Sequence, residues 1–316
     1  MKTKKLINYG FYGLLLTVFL TASLSLQVGC KTYNADPASE NSTSSELAYT
    51  EYGSPNGTPV FYFHGFPGSH TDVELFTNSE ELAQKNIRLI AVNRPGYSDS
   101  PGLPGRTLLD WPAQVKDLAD QLGLERFSIL AYSGGAPFGY ACALELADLI
   151  ETYVVVSGMT PWKAPKAKKG AAMMIPKMPK LILTGFQKTL REKPEKLEAN
   201  MRKGFPEVDQ QVFDKPSVST AMMNTLKEGM MKSYDGAYQD ALIYKSDWGF
   251  ELSEITIPVV FYHGELDQNV RIESARYVAR ELNDCSANIM ENEGHLSLIY
   301  KYRDEILGNF KATRIN

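Results

Sequence analysis

The chain has 316 residues, of which 43% are hydrophobic and 22% charged, and its formal charge is −4. These values are ordinary for a globular protein long enough to bury a full core. The acidic balance argues against nucleic acid as a partner.

Lys2, Lys4 and Lys5 precede an apolar run from Phe11 to Leu26, the layout of a secretory signal. That run spans 16 residues and carries Gly13, Thr17, Thr21, Ser23 and Ser25, which makes it short for a stable membrane span. It closes on Leu26-Gln27-Val28-Gly29-Cys30, which resembles a bacterial lipoprotein cleavage box, with Gln27 where a leucine is usual. Residues 1–30 are therefore expected to be a signal peptide whose lipidation residue is Cys30. Two acyl chains there would anchor the protein to a membrane of the cell envelope. An ordinary signal that leaves the protein secreted or periplasmic, or an uncleaved anchor, is the alternative. Residues 31–46, rich in Ser, Asn, Thr and Ala, read as a disordered tether.

From residue 47 the pattern becomes that of strands alternating with helices. Tyr49–Gly53 reads as a strand, followed by a turn at Asn56-Gly57 and a strand from Pro59 to Phe63 that runs into His64-Gly65. A helix is expected from Val73 to Gln84, a strand from Ile87 to Val92, and a helix from Leu109 to Leu122. The apolar run Phe127 to Tyr132 then stops at Ser133-Gly134-Gly135. Small residues two before the serine and on both positions after it let a strand turn sharply into a helix with the hydroxyl at the apex. Pro137 suits the first turn of that helix. This is the nucleophile-elbow pattern G-x-S-x-G, with Ala131 for the first glycine. A further strand follows, from Thr152 to Ser157.

Between Pro161 and Phe250 the strand rhythm stops. This stretch holds seven prolines and eight of the eleven methionines. Helices are expected at Glu195 to Lys203, Glu207 to Asp214, Val218 to Lys232 and Ala237 to Lys245. Met222, Met223, Leu226, Met230 and Met231 recur at helical spacing. Packing against the core accounts for such a stripe; an adaptable apolar pocket for an acyl group accounts for it equally. Twelve lysines and arginines stand against three acidic residues between Trp162 and Lys203. That excess reads as a solvated basic face, or as a surface resting on anionic headgroups if Cys30 is lipidated.

After the insertion, Ile257 to His263 reads as a buried strand that ends in Gly264-Glu265-Leu266-Asp267. Asp267 thus lies just past a strand's C-terminal end, where α/β sheets place their chemistry. Ala287 to His295 reads as a strand, a turn and a helix start. Only four histidines occur, His64, His70, His263 and His295. A nucleophilic serine needs a base and an orienter, and the order Ser133, Asp267, His295 supplies them. His263 inside a strand reads as structural, His64 as shaping its turn, and His70 as a loop residue. Glu265 points away from Asp267, and Asp247 is a weaker alternative acid. No Cys/His cluster has metal-ligand spacing and no glycine loop has phosphate-binding spacing, so no metal or cofactor is expected. Cys142, on the apolar helix after the elbow, reads as a buried inert thiol, with a pairing to Cys285 left open.

Taken in order, His64-Gly65-Phe66-Pro67-Gly68, Asn93 to Ser100, the Ser133 elbow, His263-Gly264-x-x-Asp267 and Gly294-His295 resemble the α/β-hydrolase-fold serine hydrolases from about Leu47 to the C-terminus. The resemblance implies a mostly parallel sheet of seven or eight strands with helices on both faces, a core of residues 47–161 and 251–316, and an inserted helical lid at 162–250. It further implies Ser133 as nucleophile, His295 as base and Asp267 as its orienter. The backbone N–H groups of Phe66 and Gly134 are the expected oxyanion hole, with Tyr132, Met222 and Met223 at the substrate. Carboxylic-ester hydrolysis is the leading activity. A proline-iminopeptidase-like aminopeptidase acting on amides, suggested by Pro67-Gly68, and a cofactor-free perhydrolase are the enzymatic alternatives. A membrane-anchored lipoprotein that keeps the fold only for binding is the alternative outside enzymes.

Overall fold

The structure is a computed structural model that describes residues 47–167 and 179–310. Residues 1–46, with the signal, Cys30 and the tether, lie outside the described residues. So do Met173, Met174 and Met178 and the lysines at 168, 169 and 177.

Seven strands form one sheet: β1 (Tyr49–Gly53), β2 (Thr58–Phe63), β3 (Ile87–Val92), β4 (Phe127–Tyr132), β5 (Ile150–Val156), β6 (Val259–Gly264) and β7 (Cys285–Met290). Their order is β1-β3-β2-β4-β5-β6-β7. Only β1 runs antiparallel, pairing Tyr49 with Val92 and Gly53 with Arg88. Central strands are buried along nearly their whole length, and every residue of β4 is. This explains the unbroken apolar runs in the sequence, because a parallel sheet is covered on both faces.

The covering helices are α1 (Ser79–Gln84), α2 (Trp111–Gln121), α3 (Ala136–Glu145), and, after β6, α9 (Ile272–Glu281), α10 (His295–Lys301) and α11 (Arg303–Leu307). Between β5 and β6 lie α4 (Pro179–Glu192), α5 (Pro194–Gly204), α6 (Glu207–Phe213), α7 (Pro216–Met230) and α8 (Asp235–Ile243). The helix expected from Val73 to Gln84 is two pieces. A 3₁₀ turn covers His70–Leu75, and the chain then breaks so that the Asn78 side chain accepts from Glu81 N–H at 3.0 Å and starts α1 afresh. Helix α4 is an addition to the sequence expectation. Cys142 and Cys285 are free thiols, and burial raises both above the usual thiol range.

Candidate active site

The bend after β4 holds Ser133 at φ +50°, a left-handed conformation that costs a non-glycine residue energy and recurs at functional sites. The neighbouring glycines make the bend fit. A Cβ on Gly135 would lie 2.2 Å from the Phe63 carbonyl oxygen, so only glycine lets α3 start this close to β2. Ala131 sits fully buried inside β4, where a methyl packs without displacing anything. It fills the place of the usual first glycine.

Ser133 is within reach of one imidazole. His295 Nε2 lies 2.9 Å from Ser133 Oγ, and His295 Nδ1 lies 2.7 Å from Asp267 Oδ2. Asp267 also accepts from the backbone N–H groups of Asn269 and Val270, at 2.8 and 2.9 Å on Oδ1. With Nδ1–H donating to the carboxylate, Nε2 faces the serine as an acceptor. All three residues are buried. Burial opposes a charge on Asp267, but the His295 ring, by charge and hydrogen bond, and then His263 hold its carboxyl below the usual range. Burial likewise opposes an imidazolium at His295. The charge and hydrogen bond of Asp267, then the charges of Asp209 and Asp72, outweigh it and raise the ring above its ordinary value.

The other histidines have separate roles. His263 is buried in β6, its Nε2 3.0 Å from the Val270 carbonyl and 3.7 Å from Asp267, and burial lowers its pKa. His64 donates from Nδ1 to the Gly65 carbonyl at 2.8 Å and is held neutral by burial and by Arg94. His70 bonds Asn93 through its ring and its backbone N–H. Of the alternative acids, Glu265 pairs with Arg276, and Asp247 accepts from Gly249 N–H.

The turn after β2 brings Phe66 against the elbow. A Cβ on Gly134 would fall 3.2 Å from Phe66 N and 2.6 Å from Phe66 Cβ, so the two backbones lie side by side. Two groups that sequence reading passes over hold this turn. Asp72 accepts from Gly65 N–H at 2.6 Å, and burial pushes its carboxyl up to about 6. Arg94 donates to the carbonyls of His64 (2.6 Å) and Gly65 (3.1 Å) while pairing with Asp240 of α8. The Asn93 to Ser100 turn that carries Arg94 reads in sequence only as structural.

A cavity of about 50 Å³ opens beside Ser133 and His295, with Phe66, Leu75, Tyr132, Phe205, Met222 and Leu226 on its walls and Asp72 and Asn269 as polar members. Met222 lines it, as expected, but Met223 does not. One residue further along α7 is about 100° around the helix, and Met223 is buried in the core instead. Tyr132 lines the cavity and also reaches the His295 carbonyl, its hydroxyl 3.4 Å from that oxygen. Asp209 of α6 is a third group the sequence gives no sign of. Its carboxylate accepts from the backbone N–H groups of His295, Leu296 and Ser297 at 2.9, 3.1 and 2.8 Å.

A seven-stranded, mostly parallel sheet with a strained serine at a strand-to-helix bend defines an α/β hydrolase. The family model described as alpha/beta hydrolase fold matches residues 58–302, and the chain belongs to that family. It is 25% identical over 259 residues to a 2-hydroxy-6-oxononadienedioate/2-hydroxy-6-oxononatrienedioate hydrolase of Pseudomonas putida, an alignment covering 79% of this chain and 85% of the relative. It is 22% identical over 246 residues to a bifunctional esterase/perhydrolase of Acinetobacter calcoaceticus, covering 75% of this chain and 84% of that one. Among solved structures, an esterase from Exiguobacterium antarcticum superposes with a TM-score of 0.60 at 19% identity, over 84% of this chain and 94% of the other.

Proposed function

We propose that the protein is a serine hydrolase of carboxylic esters with short, apolar acyl groups. One observation carries the reading: the unbroken hydrogen-bond chain from Asp267 through His295 to Ser133 opens onto a small, mainly apolar cavity. Ser133 Oγ attacks the ester carbonyl while His295 Nε2 takes its proton, and Asp267 fixes the tautomer and stabilises the imidazolium. Phe66 N–H and Gly134 N–H bind the tetrahedral oxyanion, each donor worth roughly 10²–10³ in turnover. His295 returns the proton to the departing alcohol, leaving an acyl-serine. Water, deprotonated by the same ring, then attacks the acyl carbon and releases the acid and the free serine.

The acyl group occupies the walls formed by Phe66, Leu75, Phe205 and Met222, and residues 162–250 act as a lid. Hydrolysis of nitrophenyl acetate, butyrate and decanoate tests this: wild type should prefer the two short esters, and Ser133→Ala should lose at least about 10³-fold in kcat. Equal turnover by the alanine variant would refute the assignment.

Perhydrolysis, with hydrogen peroxide replacing water as the acceptor of the acyl group, is a second reading. The Acinetobacter relative, named for both activities, favours it. Peracid formation from acetate esters and peroxide distinguishes it from plain hydrolysis. We further propose export and anchoring through a diacylated Cys30. A lipid mass increment at Cys30, and loss of membrane fractionation in Cys30→Ala, are the expected results. Wild-type protein recovered without lipid would contradict them.

A further inference from the structure

The base of the site is held by two bodies of the fold. The core holds the carbonyl of His295: the Ser157 hydroxyl lies 3.3 Å from that oxygen and the Tyr132 hydroxyl 3.4 Å. The other side of the same residue is held from outside the core. Asp209, fully buried, belongs to the helical segment between β5 and β6, yet both its carboxylate oxygens are spent on the first three N–H groups of α10. Those groups have no partner within their own helix, so an external acceptor fixes where the helix begins. His295 is its first residue, which means that the bond to its N–H sets the origin of the imidazole. The fit is close. A Cβ on Gly294 would fall 2.4 Å from Asp209 Oδ1 and 2.5 Å from Oδ2.

We infer that Asp209 is a positioning residue for His295, a carboxylate lent by the helical insertion that aims the base only while the insertion is seated on the core. This rests on the serine-hydrolase reading above. It makes the insertion part of the proton-transfer apparatus as well as a cover for substrate. Displacing α6 would withdraw the carboxylate, free the start of α10 and let the ring drift from Ser133. Ester hydrolysis would therefore be completed by closure rather than merely enclosed by it.

The charge of Asp209 has a second consequence. The groups facing the His295 ring are Asp267 from the loop after β6, His263 from β6, Asp72 from the turn after β2, the Tyr132 phenol from β4, and Asp209 from α6. The carboxylates all favour the imidazolium, whereas a charge on His263 would oppose it. Removing one carboxylate lowers the pH at which the ring gives up its proton. Any carboxylate at that place would move the pH, so the titration reports that the charge reaches the ring, and the loss of kcat at unchanged KM reports the aim.

The test combines kcat/KM for nitrophenyl butyrate across pH with NMR titration of the four histidine rings, in wild type, Asp209→Asn and Gly294→Ala. Asp209→Asn should lose about tenfold or more in kcat with KM within about twofold, because an aim defect acts on proton transfer. Its acid limb and its His295 titration should both move down by about half a pH unit or more. Gly294→Ala pushes the carboxylate off the amides, so kcat should fall with KM little changed. The inference is overturned if either Asp209→Asn or Gly294→Ala keeps wild-type kcat. Should Asp209→Asn fail to fold, Gly294→Ala decides alone. A wild-type protein that turns over no ester overturns the hydrolase reading instead, and the ring titrations still decide whether Asp209 acts on His295.

Discussion

Asp240→Asn is expected to weaken the fold and the oxyanion turn together. Asp240, on α8, is fully buried and accepts from Arg94 Nε at 2.9 Å, Arg94 Nη2 at 2.8 Å and the Tyr97 hydroxyl at 2.9 Å, with Arg106 on its other oxygen. The guanidinium of Arg94 in turn carries the carbonyls of His64 and Gly65, one residue before Phe66. An asparagine keeps one acceptor oxygen but turns an amide donor on the guanidinium at the other position, and its neutral side chain leaves both buried guanidinium groups without a counter-charge. Breaking a buried pair by removing one partner costs about 3–5 kcal/mol. Against a total stability of roughly 5–15 kcal/mol, that is a large fraction. At roughly 2 °C per kcal/mol for a domain of this size, the melting temperature should fall by about 6–10 °C. Scanning calorimetry measures that fall, and kcat for nitrophenyl butyrate, taken well below the melting temperature, should drop by about tenfold as the Phe66 N–H loses its aim. A loss below about 2 °C would refute the energetic reasoning. A full loss of stability with wild-type kcat would refute the link from Asp240 to the oxyanion turn.

Four further outcomes follow from the site. The acid limb of kcat/KM should lie above pH 6.5, because the base must be neutral to accept a proton and its neighbours raise its pKa. In Asp267→Asn the limb should move to lower pH while kcat falls by about 10³-fold or more, as expected when the tautomer is no longer fixed; an unmoved limb would contradict the assignment. Gly134→Ala places a methyl 2.6 Å from Phe66 Cβ and 2.7 Å from the Tyr244 hydroxyl, and kcat should fall by about 10²-fold with KM little changed, as steady-state kinetics would show. Met222→Ala enlarges the cavity beside Ser133, the proposed acyl site. The ratio of decanoate to butyrate hydrolysis should rise by about tenfold, and an unchanged ratio would remove Met222 from the acyl site.

Much of this arrangement is legible without coordinates because the chemistry sits at ends of strands that are themselves easy to read. β1, β3 and β4 occupy the bounds expected from sequence, and Ser133, Asp267 and His295 each follow a segment read as a strand. The break at Asn78 was hidden because apolar residues on both sides keep helical spacing through it. Helix α4 was hidden for the opposite reason: Ile182, Thr184, Gly185 and Thr189 dilute its helical signal. The supporting carboxylates are invisible for a more basic reason. Asp209 and Asp240 look like ordinary surface acids of short helices. Their partners are 86 and 146 positions away, so their burial is decided by tertiary contacts that no local pattern encodes. Asp72 is similar, since an acid in a polar turn gives no sign that it will be enclosed beside Ser133.

The proposed function stands on Ser133 being a nucleophile activated by His295. Incubating the purified protein with a fluorophosphonate and locating the adduct by mass spectrometry tests it most directly. One equivalent of phosphonyl group on the peptide containing Ser133, absent in Ser133→Ala and much slower to form in His295→Ala, is the predicted result. A protein that remains unlabelled, or labels at another residue, would contradict it.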